Sequence, residues 1–278
     1  GFVASATHSY KEQYVEENRR FLRVESGAGS NVVLETTSDY AMQSGTQKAQ
    51  LGIVGNVAYQ FTPNHRLGIE NFFTHSGRDE GRFFEGDNFD NVLRYRNYRV
   101  QFIEEGMMSN GVTGEHFFQG LSNSRVDWRV NVARANRDEP DLREVYYERA
   151  LSAAPTANFV LSDESQSGFR MFNTLDDETT DVSVNWATLS NTGGRPTQFK
   201  FGLSYVDRTR DFESRRFRFI PNVLTKDGPS LVNNTLMPEE LYTSSNIGTA
   251  FRFNEETRPT DAYNGDQTTA SGYGMIDV

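Results

Sequence analysis

The densest gathering of recognition chemistry in this 278-residue chain is HSGRDEGRFFEGDNFDNVLRYRNYR, residues 75–99. It sets Arg78, Arg82, Arg94, Arg96 and Arg99 among Phe83, Phe84, Tyr95 and Tyr98. Guanidinium groups bind carboxylates or phosphates through paired hydrogen bonds, and aromatic faces stack on flat ligands or sugars. Arg78, Arg82, Phe83, Phe84, Arg94, Tyr95 and Arg96 are therefore the expected ligand-contacting residues of an exposed loop. The plain alternative is a pair of strand extensions laced by salt bridges. A second run, SRRFRFIPNV at 214–223, interleaves Arg215, Arg216 and Arg218 with Phe217 and Phe219, and suggests a strand edge reaching outward.

Bond-making chemistry has little to work with. No G-x-S-x-G, H-E-x-x-H or G-x-x-x-x-G-K occurs, and there is no cysteine. No catalytic residue, cofactor or metal centre is expected. The histidines His8, His65, His75 and His116 are scattered, whereas a metal site needs several ligands brought together. Asp87 with Asp90, Asp138 with Glu139 and Asp141, and Asp176 with Asp177 and Glu178 offer oxygen ligands for hard cations. None has the spacing of a calcium loop, so solvated acidic loops are the favoured reading and surface calcium bridging the minority one.

The elements that must carry these residues are strands. In LGIVGNVAYQFTPNHRLGIENFFT (51–74), Leu51, Ile53, Val57, Tyr59 and Phe61 alternate with small or polar residues. After Pro63-Asn64 the alternation resumes with Leu67, Ile69 and Phe73. Successive strand side chains point to opposite faces, so this is a hairpin with one apolar face. The pattern returns with Val126, Trp128, Val130 and Val132, with Val182, Val184 and Trp186, and with Phe199, Phe201, Leu203 and Tyr205. It is weaker at Phe2–Tyr10 and noisier over 94–119, and the register of SGYGMIDV is open. About eight strands are expected.

Composition leaves the surroundings of that apolar face open. Mean hydropathy is -0.65, and no run approaches the roughly 18 apolar residues of a membrane helix. A membrane β-barrel escapes that test, because its strands are only half apolar. A net charge of -10 argues against nucleic acid as a partner.

The connections sort by length. TPNH (62–65), GLSNSR (120–125) and SNTGGRPT (190–197) are short, and those at 11–46, 77–93, 137–178 and 209–267 are long. Short and long alternate, so all long ones emerge at the same end of an up-and-down sheet. Outer-membrane barrels have this asymmetry, with short periplasmic turns and long extracellular loops. The expected lipid-facing set is Leu51, Ile53, Val57, Tyr59, Leu67, Ile69, Phe73, Trp128, Val130, Val184, Trp186, Phe199, Phe201 and Leu203.

Three stretches, AYQFTPNHRLGIENFFTHSGRDEGRFFEG (58–86), EEGMMSNGVTGEHFFQGLSNSRVDWRVNVARANRDEPDLRE (104–144) and RFNEETRPTDAYNGDQTTASGYGMIDV (252–278), resemble the barrel portion of TonB-dependent outer-membrane receptors. In that family a loop often precedes a segment of the type Y-x-x-x-Q-x-x-x-A-x-Y-x-M-x-D. Tyr263, Gln267, Gly272, Tyr273, Met275 and Asp277 occupy comparable places with imperfect spacing. No energy-coupling box, plug domain or terminal aromatic residue is recognisable. The resemblance implies an all-β, up-and-down antiparallel transmembrane β-barrel segment, with residues 1–278 a partial barrel domain supplying about eight strands of roughly 22. It implies a bacterial outer-membrane location and uptake of a metal chelate, cobalamin or glycan. Its partners would be outer-membrane lipid, a small-molecule or glycan ligand, and an inner-membrane energy-coupling complex reached through parts outside this chain. The rivals are a small closed eight-stranded barrel with a structural or adhesive role, and a soluble β-rich binding protein.

Overall fold

The computed structural model describes residues 1–26, 32–222 and 235–277. Eight long strands dominate: β1 (Phe2–Ser26), β2 (Val32–Thr62), β3 (His65–Asn88), β4 (Leu93–Phe118), β5 (Ser124–Ala150), β7 (Phe169–Thr192), β8 (Arg195–Pro221) and β10 (Tyr263–Asp277). Two short strands, β6 (Val160–Leu161) and β9 (Phe251–Glu255), pair with β5 and β8. A one-turn helix, α1 (Pro238–Leu241), and a 3-10 turn at Pro259–Asp261 complete the elements.

Every pairing of the long strands is antiparallel, and the sheet follows the order β1-β2-β3-β4-β5-β7-β8-β10. This is the expected up-and-down all-β architecture, laid out as an open sheet whose edges are β1 and β10. Among the described residues no helix is long and apolar enough to cross a membrane. The three short turns fall where the sequence puts them, around 63–64, 119–123 and 193–194. Gly193 and Gly194 have φ of 63° and 83°, so a Gly-Gly pair at the centre of that hairpin supplies the left-handed backbone its tight turn requires.

The long connections need correction. Most of 11–46, 77–93 and 137–178 is strand, with β1 continuing to Ser26 and β3 to Asn88, while 209–267 holds the end of β8, all of β9 and the start of β10. Apolar alternation fades there because both faces are polar, yet the backbone ladder persists. Charge pairs replace hydrophobic ones across the strands, as in Arg20–Asp39 at 2.7 Å and Arg23–Glu35 at 2.8 Å. Residues 27–31 and 223–234, including Val223 of the second arginine run, lie outside the described residues.

Cross-strand register aligns the apolar positions into one band. Directly paired residues share a face, and the row Tyr59–Leu67–Gly114–Trp128–Val184–Leu203–Gly272 runs across seven strands. The row Val57–Ile69–Val112–Val130–Val182–Tyr205 lies beside it. Most of these side chains are open to the surroundings, from 38% for Val184 to 70% for Tyr59, with Trp128 half-buried. Along the strands the band measures roughly 20 Å on β5 (Val126–Val132) and 33 Å on β2 (Leu51–Phe61), at about 3.3 Å per residue. Its upper limit is charged: Arg134 and Glu178, the next residues on that face, pair at 3.1 Å.

The opposite face over these rows and the next is mostly polar, with Val54, Phe72 and Met107 as exceptions. Arg129 bonds Glu70 at 3.1 Å, Arg125 bonds Glu115 at 3.2 Å, and Asp177 receives both Arg208 and Arg210. The open register of the last segment resolves with Tyr273 on this polar face, its hydroxyl 3.0 Å from Asn185 Oδ1, and Ile276 on the band face.

The band has an aromatic margin beside the short turns. Phe61 stacks on His65 at 5.6 Å, and Trp186 on Phe201 at 5.6 Å. Trp128 Nε1 donates to His116 Nε2 at 3.1 Å, which puts the proton of a neutral His116 on Nδ1, facing His65 Nδ1 at 3.1 Å.

Candidate functional site

Above the band the arginine–aromatic segment is not a loop. Residues 75–88 end β3, 93–99 begin β4, and only 89–92 form the turn. Because strand residues alternate, the expected set divides. Arg78, Arg82, Phe84 and Tyr95 stand on the polar face, and Phe83, Arg94 and Arg96 on the band face. The seven do not form one site.

On the polar face, Met42, Phe84 and Tyr95 are buried together, with Tyr40 and Tyr146 packed against them. The Phe84 ring lies 5.0 Å from Tyr40 and 5.8 Å from Tyr146. Burial raises the Tyr146 phenol far above its ordinary pKa, and the nearby Glu144 adds to the effect. Next to this cluster runs a polar ladder. Glu144 accepts from Arg82 Nη2 at 3.2 Å and from Asn97 Nδ2 at 3.1 Å. Glu139 accepts from Gln101 and, at 2.9 Å, from Asn173 Nδ2, while Arg99 donates to Gln101 at 3.0 Å.

The ladder keeps unused valences. Arg82 Nε, Arg99 Nε, Asn97 Oδ1, Asn173 Oδ1 and Ser214 Oγ are buried and have no partner among the described residues. Two N–H donors, two carbonyl acceptors and a hydroxyl match a ligand bearing several hydroxyl or carboxylate groups, or ordered water. Of these five residues only Arg82 was in the expected set. Asn97, Glu139, Glu144, Asn173 and Ser214 come from strands apart in sequence, and only the register of β4, β5, β7 and β8 unites them.

On the band face the expected arginines are occupied. Glu85 takes Arg94 at 3.0 Å and Arg96 at 2.8 Å, and Arg94 also holds Asp87 at 2.9 Å. Burial alone would raise the Glu85 carboxyl, but hydrogen bonds from Arg96 and Arg94 outweigh it and leave its pKa lowered. The Phe159 ring lies under two guanidiniums, Arg96 at 4.2 Å and Arg149 at 4.7 Å. This is the salt-bridge-laced arrangement weighed as the alternative.

The second arginine run is also interior. Arg215 pairs with Glu255 at 3.0 Å, Arg216 with Asp261 at 3.5 Å, and β8 is flanked there by β7 and β9.

Much of the charge of the acidic clusters is met by arginine. Asp90 binds Arg23 at 3.0 Å, Asp177 binds Arg208 and Arg210, and Asp141 binds Arg143 and Arg170. No group of three or more metal-ligating side chains converges among the described residues. His75 meets Glu104 at 3.1 Å, and His8 lies opposite Leu51 on the band face.

The fold and its surfaces thus define an open, antiparallel, up-and-down all-β sheet with one apolar-banded face and one polar face. No protein-family model matches the chain, and no curated protein or solved structure matches it either.

Proposed function

We propose that this chain is wall and outer-loop structure of an outer-membrane β-barrel, in a receptor of the TonB-dependent type that captures a scarce ligand for import. One observation carries the membrane reading: an exposed apolar band, continuous across the long strands, beside the short turns and bounded above by Arg134 and Glu178. A membrane strand needs about 9–11 residues, and Leu51 to Phe61 on β2 supplies that length. Water on both sides would leave this band unburied, whereas lipid removes it from water at no packing cost. The aromatic margin around Trp128, His116 and Trp186 suits a headgroup boundary.

The polar face then lines the lumen, and the ladder of Arg82, Asn97, Arg99, Asn173 and Ser214 braces from within the part of it that stands above the membrane and is offered to ligand. Import of a metal chelate, cobalamin or glycan rests on the sequence resemblance. The work is binding and gating, with no bond made or broken.

The chain's two tryptophans, Trp128 and Trp186, both stand on the band face, so intrinsic fluorescence tests the membrane reading directly. Refolded into vesicles, the chain should lose most of this emission when brominated acyl chains replace ordinary ones. A chain that stays soluble without detergent, with emission indifferent to bromine, defeats the reading. A closed eight-stranded barrel is the second form, because β1 and β10 run in opposite directions and satisfy antiparallel closure. With no native cysteine, a Cys pair placed on β1 and β10 reports it: an intramolecular disulfide means closure.

A further inference from the structure

We infer that a groove on the band-bearing face, above the band, binds a flat aromatic small molecule carrying one anionic group. Its ring walls stand on the opposite face of the sheet from the polar ladder, although Arg82 and Arg99 of the ladder also line it, and the inference holds whether or not the sheet sits in lipid.

The groove encloses about 790 Å³ between the strand extensions and the segment around α1. Pockets that take drug-sized ligands range over roughly 300–1,000 Å³ and are mostly apolar, with a few placed polar groups. Its floor is bare by sequence. Gly45 and Gly81 face each other across β2 and β3, with Tyr14 and Val100 next in the same row. A Cβ on either glycine would meet nothing within 4 Å, and neither has the positive φ that demands glycine. Two adjacent glycines that no contact or backbone angle requires leave a flat slot between the side chains around them.

The walls are rings. Phe83 and Tyr98 pair at 5.1 Å on one side, and Phe219 and Tyr242 stack at 4.5 Å on the other. The Tyr242 hydroxyl is buried and has no partner among the described residues. Such walls accept a planar ring system by stacking and edge contact.

The charge lies at one end. Arg143 and Arg170 share the single carboxylate of Asp141, which sits at a bulge in β5 with φ of 65°. Both use Nε and Nη2 for that carboxylate, and neither Nη1 has a partner among the described residues. The Arg143 side chain is 59% exposed against 18% for Asp141, so the uncompensated guanidinium charge is the accessible part. A second carboxylate or sulfonate would complete a two-to-two arrangement. Glu239 also lines the groove, is exposed and makes no ion pair among the described residues, so it opposes an anion there.

Isothermal titration of the full chain in a neutral detergent, with 2-naphthoate as probe and 2-naphthylmethanol as its uncharged counterpart, tests the inference against a detergent blank. One saturable site should appear, about tenfold tighter for the naphthoate, as expected for one charge-assisted contact. Gly81→Leu, whose Cβ has open space, fills the slot and should abolish binding of both compounds at an unchanged melting temperature. Gly45→Val gives the same occlusion from the neighbouring strand should Gly81→Leu melt lower. Arg143→Gln leaves the Arg170–Asp141 pair intact and should bring naphthoate down to the level of the alcohol, and Glu239→Gln should tighten naphthoate. Unsaturable naphthoate heat, equal affinity for the two compounds, or binding that survives both glycine substitutions overturns the inference.

Discussion

The indole of Trp128 lies flat over Gly114, its direct cross-strand partner, and occupies the space where a Cβ on that glycine would stand. The glycine thereby lets the ring lie along the sheet, with Nε1 reaching His116. Gly114→Val should lift the ring, break that hydrogen bond and cost about 1–3 kcal/mol, the usual price of overpacking. Denaturant melts followed by tryptophan emission report both effects, and an unchanged midpoint with unchanged emission refutes them.

Asp141 sets an acid limit on stability. Burial tends to raise its carboxyl, but hydrogen bonds from Arg170 and Arg143 prevail and hold its pKa below the ordinary 3.8. The unfolded chain therefore binds this proton first as pH falls. The stabilisation is complete above the ordinary value and is lost as pH drops through the lower, folded one. Glu85, lowered by Arg96 and Arg94 against its own burial, acts in the same direction. Melting temperatures from pH 6 downward should fall steeply in acid. Asp141→Asn should lower the neutral-pH value and flatten the acid slope, since two guanidiniums then face each other without a counter-charge.

Val184 and Thr179 lie on the same strand but opposite faces, the first in the band and the second beside Asp177. If lipid covers the band, Val184→Lys should cost about 2–4 kcal/mol of insertion free energy. Thr179→Glu should cost under about 1 kcal/mol, because Arg208 stands directly opposite it and Arg210 is close by. Vesicle-folding yields for the two variants give the comparison, and equal yields contradict the face assignment.

Glu144 satisfies both Arg82 and Asn97, and Asn97 is fully buried. Glu144→Gln removes the charge that holds the guanidinium and should destabilise by about 1–3 kcal/mol, the cost of under-satisfying buried donors. A chemical denaturation midpoint measures it. Glu144→Ala should be worse, because no acceptor is left.

The strands near the short turns were legible because one of their faces is apolar, and a period of two then shows in the letters. From Lys11 to Arg20 both faces are polar, so KEQYVEENRR carries no such period although each residue is paired with β2. The remaining signal was charge complementarity, such as Arg94 and Arg96 against Glu85 and Asp87 across a four-residue turn. Treating 75–99 as a loop hid the parity that sends Arg82 and Phe83 to opposite faces. The ladder through Glu139, Asn173 and Ser214 was not legible at all: it depends on a register shift between Glu139 and Leu142 that no local pattern announces.

The long strands carry a mechanical consequence. Beyond the band β2 continues from Gln50 to Val32, a further reach of roughly 60 Å along the strand, or about 42 Å of height at a 45° tilt. Each neighbour is fastened to the next by backbone hydrogen bonds, so this is a stiff palisade rather than a fringe of mobile arms. If the proposed membrane placement holds, large particles approaching the cell would meet its rim long before the bilayer. A push on the rim would travel down the ladders as a change in tilt or spacing of whole strands.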